Sequence, residues 1–164
     1  MVKKWKRKRI LLYKLTFEGE YLYNNIKKGK FYRDEKLEYE GDYLYNIKWN
    51  GKVYDENGNI IYELKNGEGK VIEYHENGKI KFIGDYLNGL RNGKGKEYYD
   101  GKLTFEGIYL NGLRNGKGKK YENGKIIFEG EYLNGVRHGK GKKYENGKMI
   151  FDGEYFNGMM KSSK

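Results

Sequence analysis

The 164-residue chain has few histidines and serines that could act as a general base or a nucleophile. There is no cysteine, which excludes disulfides and cysteine zinc sites. The only two serines lie within the last three residues, which argues against a serine nucleophile. His75 and His138 are the only histidines, and His138 stands where earlier copies of the same string have Asn92 and Asn115. A loop role is therefore favoured over general-base catalysis.

The carboxylates recur at fixed intervals instead of forming one isolated pair. Glu106, Glu129 and Asp152 are 23 residues apart, and Glu131 and Glu154 repeat in the same way. A catalytic acid–base pair needs two carboxyl groups whose environments separate their pKa values. Repetition favours ion pairing with neighbouring lysines, so we expect no catalytic residue, no metal site and no cofactor.

Glycine–lysine clusters resemble nucleotide-binding loops only superficially. The string from Gly89 to Lys94 has three residues between its glycines where a phosphate loop has four, and Gly95 stands where Ser or Thr would bind magnesium. Tyr98 occupies the place of the third glycine of a dinucleotide fingerprint. The string recurs at 112–117 with no helix pattern after it, so these glycines are assigned to strands and turns.

More than half of the net charge of +11 lies in the first nine residues, which contain no acid. We set residues 1–16 apart as a basic N-terminal arm, with the basic residues Lys3, Lys4, Lys6, Arg7, Lys8 and Arg9. Such a cluster suits an anionic membrane surface, a nuclear-targeting or nucleic-acid patch, or a solubilising tail. The sequence does not separate these three interpretations.

A 23-residue repeat organises the rest of the chain. In each regular copy an aromatic residue is followed two positions later by glycine and four positions later by tyrosine. These structural positions are Phe82, Gly84, Tyr86, Phe105, Gly107, Tyr109, Phe128, Gly130 and Tyr132. The pattern predicts about six and a half units over 17–158, irregular over 17–81 and regular over 82–158, with a tail at 159–164.

Each unit has the pattern of a β-hairpin. Phe128 and Tyr132 share one face of a strand, and Asn134–Gly135 is a turn signal because both residues tolerate positive φ. Gly139 and Gly141 are expected on one face of the next strand, covered by an aromatic ring from the paired strand. Stacked hairpins predict an all-β fold, an elongated single-sheet solenoid in which neighbouring repeats supply each other's burial.

The string from Phe128 to Gly141 resembles the MORN (membrane occupation and recognition nexus) repeat, strongly over 82–158 and with decay over 17–81. Its turn at Tyr144–Lys148 is similar to a variant MORN-like repeat. The resemblance implies a non-enzymatic scaffold or adaptor for a protein partner. It also implies possible phosphoinositide or acidic-lipid binding and dimerisation, as attributed to several family members.

Two sets of repeated side chains have alternative interpretations. The aromatic rows could stack nucleic-acid bases, but their offsets match those of the glycines, which favours packing on the glycine backbone. The basic rows could contact an anionic surface or an acidic partner, or could form a solvated face that nearby acids neutralise. These basic residues are Arg91, Arg114, Arg137, Lys94, Lys117 and Lys140.

The last repeat is expected to stop after one strand, Phe151–Phe156, and so to leave an open sheet edge. The side chains expected to form a weak homodimer or partner contact there are Phe151, Tyr155, Phe156, Met159 and Met160. The sequence thus predicts a cytoplasmic scaffold that can be membrane-peripheral. The alternative is a peripheral membrane protein that binds anionic lipids through the basic arm and basic rows, and nucleic-acid binding is the third choice.

Overall fold

The computed structural model describes residues 5–11, 14–75 and 77–161. Over these residues the chain forms a 15-stranded sheet in which each strand is hydrogen-bonded to its neighbours in chain order. The strands are β1 Trp5–Leu11, β2 Lys14–Leu22, β3 Asn25–Arg33, β4 Lys36–Leu44, β5 Ile47–Tyr54, β6 Ile60–Lys65, β7 Glu68–Tyr74, β8 Ile80–Leu87, β9 Leu90–Tyr99, β10 Lys102–Leu110, β11 Leu113–Glu122, β12 Lys125–Leu133, β13 Val136–Glu145, β14 Lys148–Phe156 and β15 Met159–Met160. The predicted all-β fold of antiparallel hairpins is confirmed.

The strands belong to two compact units. The first unit contains the described residues up to Val71 together with Tyr86–Gly89. The second contains Ile72–Asp85 and the described residues from Leu90 onwards. Most irregular copies of the repeat fall in the first unit, and the regular copies fall mainly in the second.

The described part of the basic arm is paired with the first strand of the repeat region. Residues 5–11 form β1, which pairs antiparallel with β2. Lys6 lies opposite Glu20, and Lys8 lies opposite Glu18. Strand pairing therefore extends the sheet into the segment that the sequence marked only by its charge.

In the second unit the core is a row of aromatic rings on one face of the sheet, which we call the ring face. Phe105 is fully buried, and its ring lies over Gly107 of its own strand and Gly118 of the paired strand. A Cβ atom at these glycines would lie 2.8 and 2.5 Å from Phe105 Cζ, closer than real contacts allow. Phe128 covers Gly141 in the same way, which confirms the predicted ring contact at that glycine.

The expected equivalence of Gly139 and Gly141 is wrong. The register between β12 and β13 shifts because Gly130 lies opposite Gly141 whereas Tyr132 lies opposite Arg137. Gly139 falls in this bulge with φ of 77°, and a Cβ there would meet the Glu131 carboxylate instead of a ring. The bulge thus separates two glycines that simple alternation places together.

Tyrosines join the rings of successive repeats. The Tyr109 ring meets Phe82 and Phe105 edge-on, with centroids 5.2 and 5.8 Å apart. Tyr132 and Tyr155 continue the ladder, with 5.2–5.4 Å between ring centroids. T-shaped pairs are a favourable aromatic geometry. Each tyrosine contacts two repeats, so burial comes from neighbouring copies, as expected for a repeat array.

The shortened copy that begins at Tyr62 has a different core. Leu64 stands two positions after Tyr62, where the regular copies have the glycine beneath the ring. The Leu64 side chain is itself buried and packs in a cluster with Tyr39, Val53 and Val71. Aliphatic packing therefore replaces the ring-on-glycine contact in this part of the first unit.

Hairpin turns connect the repeats through backbone hydrogen bonds. Asn134 and Gly135 both have positive φ, 50° and 88°, as a type I′ turn requires. The Gly135 amide donates to the Arg114 carbonyl at 2.8 Å, and the Gly112 amide donates to the Arg91 carbonyl at 2.9 Å. Each turn of this series is therefore held by the repeat before it.

The C-terminal strand differs from the prediction of an edge without a neighbour. After Phe156 the chain turns back as β15, which places Met160 opposite Tyr155. The Lys161 amide then donates to the Glu154 carbonyl at 2.8 Å. Tyr155 is buried, so it adds no exposed surface, whereas Phe156, Met159 and Met160 are exposed. A homodimer through these three side chains stays a prediction.

Candidate binding surfaces

The sheet face opposite the rings, which we call the charged face, carries the repeated acids and lysines. Glu106 lies opposite both Lys96 and Lys119, and Glu129 lies opposite both Lys119 and Lys142. Lys96 Nζ is 3.7 Å from the Glu106 carboxylate. Exposed pairs of this length contribute little to stability. The alternation nevertheless neutralises the face and supports ion pairing over catalysis.

In the row formed by Lys94, Lys117 and Lys140, two lysines also face acids. Lys117 lies opposite Glu131, and Lys140 lies opposite Glu154. Lys94 differs because its cross-strand neighbour is Ile108. Two of the three lysines proposed as an anion-binding row therefore belong to charge-matched positions.

In the first unit the charged face forms a groove of about 790 Å³. Its charged lining consists of Lys6, Arg7, Lys8, Lys28, Lys30 and Lys52 together with Glu18, Glu20, Glu40 and Asp42. The acids offset most of the positive charge, so the field that the basic arm suggested is weakened. Arg7 also lies 5.4 Å from the Tyr21 ring centroid, and the Arg9 carbonyl accepts a hydrogen bond from Thr16. Lys3 and Lys4 lie outside the described residues.

The arginine row lies on the ring face. Each guanidinium lies over the phenylalanine that begins its repeat, with Arg91, Arg114 and Arg137 at 4.0, 4.1 and 4.4 Å from the ring centroids. Cation–π contacts at such distances are favourable. The arginines therefore contact the chain's own rings, a role that the sequence did not indicate.

Two arginines of the row also bind carboxylates of the chain. Arg91 donates two hydrogen bonds of 2.7 Å to Glu73. Arg114 donates to both carboxylate oxygens of Glu97, at 3.2 and 2.5 Å. Tyr109 donates its hydroxyl proton to the same carboxylate at 2.5 Å. Glu97 thus accepts from a guanidinium and a phenol at a partly buried position.

Burial would raise the pKa of Glu97, but hydrogen bonds from Arg114 and Tyr109 and the charges of Arg114 and Arg91 outweigh it, so the pKa is lowered. We expect Glu97→Gln to destabilise the second unit by about 2 kcal/mol near pH 7. A lowered folded-state pKa means that this stabilisation is complete above the unfolded value of about 4.3 and is lost as pH falls through the folded value.

Urea unfolding of both proteins at pH 7 and pH 2.5 checks this prediction. The difference between their free energies of unfolding should shrink in acid, and a difference of constant size would contradict it. Glu122→Gln is the matched control because Glu122 is exposed at the end of β11. It should cost less than about 0.5 kcal/mol.

The counterparts of Glu97 in the next two repeats are lysines. Lys120 lies opposite Phe105 and Phe128, so its side chain belongs to the ring face, and Lys143 holds the same position one repeat later. The sequence shows this change, because Glu97, Lys120 and Lys143 occupy the same position in three successive repeats. An interpretation that treats all repeats as equivalent does not reveal it.

Two phenols on this part of the ring face differ from Tyr109. The hydroxyls of Tyr132 and Tyr155 are buried, and their protons have no acceptor among the described residues. Burial raises the pKa of Tyr132, and the positive charges of Arg137 and Arg114 and the hydrogen bond with Arg137 oppose that rise. Within the same described part of the chain, Arg137 forms no ion pair. The three arginines are therefore not equivalent.

Exposed apolar side chains flank the turns of the regular repeats. They form cross-strand pairs beside the turns, and their exposed fractions lie between 43% and 70%. We call this set the apolar turn row: Leu110 with Leu113, Leu133 with Val136, and Phe156 with Met159. The row presents one apolar pair per repeat.

Comparison with protein families matches the MORN repeat at residues 82–102, 105–126 and 128–149. The chain carries three MORN repeats. Comparison with curated proteins gives no match. Outside the matched MORN residues, Phe17 covers Gly19 and Gly29 as the repeat phenylalanines cover their glycines. The ring-on-glycine contact therefore also occurs in the first unit.

The two histidines contact backbone or aromatic groups of the sheet. His75 Nε2 is 2.9 Å from the Tyr98 carbonyl, and the His138 ring lies 5.4 Å from the Phe156 ring. Over the described ranges, no three His, Asp or Glu side chains cluster closely enough to hold a metal ion. The same residues include no helix that is long and apolar enough to cross a membrane.

Proposed function

We propose that this MORN-repeat protein is a non-enzymatic scaffold that binds a protein partner through the apolar turn row. The row carries the proposal because its side chains are exposed in register, one pair per repeat. Burying apolar surface contributes about 25 cal/mol per Å² removed from water. A partner with apolar side chains at a matching interval would bury several pairs together.

The polar groups favour a scaffold over an enzyme. The acids of the charged face lie opposite lysines, as Glu106 does, and Glu97 is held by Arg114 and Tyr109. The pairs of the charged face recur from repeat to repeat, and the Glu97 contacts occupy a partly buried carboxylate that an active site would need. Structural pairing accounts for them without a reaction.

The test compares Leu110→Ser/Leu133→Ser with the control Met149→Ser/Ile150→Ser, whose residues are also exposed but lie outside the row. Each protein is crosslinked in the cells that express it, and the captured proteins are quantified by mass spectrometry. We expect the captured amount of one partner to fall at least tenfold with the row variant and to stay unchanged with the control. A partner set that neither variant changes would contradict the proposal.

Recruitment to an anionic membrane is the second candidate. Ile10 and Leu11 are 62% and 64% exposed beside the basic residues of β1, a combination that suits a lipid surface. Co-sedimentation with phosphoinositide vesicles at physiological salt tests it. Lys6→Gln/Lys8→Gln should abolish pelleting, whereas Lys94→Gln/Lys117→Gln should not. These substitutions are preferable to deletion, because removing residues 5–11 would remove a strand.

A further inference from the structure

We propose that the ring face around Arg137 binds a carboxylate side chain of an acidic protein partner. This carboxylate would take the place that Glu97 has one repeat earlier. The inference rests on the proposed scaffold function, and it adds the chemistry of the partner and a second contact surface.

The preceding repeat supplies the template for the contact. Glu97 accepts hydrogen bonds from Tyr109 and Arg114, and the Arg114 guanidinium lies 4.1 Å from the Phe105 ring centroid. Twenty-three residues later the chain keeps the phenol, the guanidinium and the ring, as Tyr132, Arg137 and Phe128. It replaces the carboxylate with Lys120. Only the acceptor of the set has changed.

The chemistry of the remaining groups identifies what the site needs. The buried hydroxyls of Tyr132 and Tyr155 have no acceptor among the described residues for the proton that each carries. Arginine and lysine only donate, so Arg137, Lys120 and Lys143 cannot accept these protons. A buried donor without an acceptor costs about 1–3 kcal/mol. An anionic acceptor would satisfy both the phenols and the excess positive charge.

The surroundings favour a carboxylate on a protein. Arg137, Lys120 and Lys143 are half-buried, so a ligand can approach along them from solvent. Arg137 directly follows Val136 of the apolar turn row, and its carbonyl accepts a hydrogen bond from Gly158 in a later turn of the same series. A partner segment with an acidic residue beside apolar residues could therefore contact the row and the arginine together.

The experiment uses the full chain and a fluorescein-labelled peptide of eight glutamates, measured by anisotropy at physiological ionic strength. Lys120→Glu places a carboxylate of the chain itself beside Tyr132 and Arg137. We expect it to weaken peptide binding at least tenfold. The matched control Lys125→Glu changes the net charge equally at an exposed position and should weaken binding less than threefold.

Thermal unfolding without any ligand provides an independent measurement. Lys120→Glu should raise Tm above that of Lys125→Glu, because its carboxylate can accept from the buried phenol as Glu97 does. A lower Tm for Lys120→Glu would overturn the proposal. Equal losses of peptide binding in the two variants, or no binding by the unchanged chain, would also overturn it.

Two further outcomes separate the possible ligands and the two proposals. One outcome is that the unchanged chain binds phosphoinositide vesicles but not the peptide, and that Lys120→Glu abolishes the vesicle binding. The site then binds phosphate, and the carboxylate proposal is overturned. If the crosslinked partner depends on Leu110 and Leu133 but is unaffected by Lys120→Glu, the scaffold stands and the Arg137 site is wrong. If the partner depends on Lys120 and not on the row, the carboxylate site is supported and the row is not.

Discussion

Gly130→Ala is expected to destabilise the second unit by about 3 kcal/mol, near the upper end of the usual cost of overpacking. A Cβ at this position would lie 2.6 Å from both Gly141 Cα and the Lys140 carbonyl oxygen. Both are backbone atoms of the paired strand. The strands cannot move apart without lengthening the ladder hydrogen bonds, so side-chain adjustment offers no relief.

Gly124→Ala is the matched control for that substitution. Gly124 has φ of 76°, and a Cβ there would have no neighbour within 4 Å. Its cost should be limited to the strain of a left-handed conformation, about 1 kcal/mol. Urea unfolding of the two variants and the unchanged chain gives the comparison. Equal losses in the free energy of unfolding for the two variants would show that the close approach of the strands does not restrict the residue at position 130.

Phe128→Ala is expected to cost about 3–5 kcal/mol, because it removes a fully buried ring and leaves a cavity. The ring covers Gly130 and Gly141, which have no side chains to fill the space. It also meets the rings of Tyr132 and Tyr155 edge-on. The loss therefore reaches three strands and should appear in the free energy of unfolding from urea titration.

Two controls separate burial from ring chemistry. Phe156→Ala removes a ring that is 52% exposed and should cost less than about 1 kcal/mol. Phe128→Tyr should be nearly neutral, because Tyr39 holds the corresponding position and donates its hydroxyl to the carbonyls of Asp42 and Asn50. A small effect of Phe128→Ala, similar to that of Phe156→Ala, would contradict the assigned core.

Local patterns predicted the regular repeats well. Alternation placed Phe128 and Tyr132 on one face, and the Asn134–Gly135 pair marked a turn that the structure contains. The same patterns do not predict turns without glycine, such as Tyr23–Asn24, although both residues have positive φ. The reason is physical, since asparagine and glycine adopt such φ values at low cost whereas tyrosine needs the rest of the hairpin to impose them.

Pairing between strands explains the elements that the sequence did not predict. Charge dominated the interpretation of residues 5–11, yet hydrogen bonding to β2 makes them a strand. β15 has only two residues, and its pairing with β14 follows from the turn before it. The bulge at Gly139 depends on the register of β12 against β13, which no pattern within one strand contains.

The sequence by itself determined the period, the strand-and-turn pattern and the glycine–aromatic offsets, because these follow from residue types within one repeat. Tertiary structure decided which repeats contact each other. It paired Glu97 with Arg114 across 17 residues and left Arg137 beside Lys120 at the same spacing. The ring face therefore changes from satisfied to acceptor-poor along the second unit, because lysines stand at 120 and 143 where the earlier repeat has Glu97, and the contact partners of Glu97 come from the next repeat.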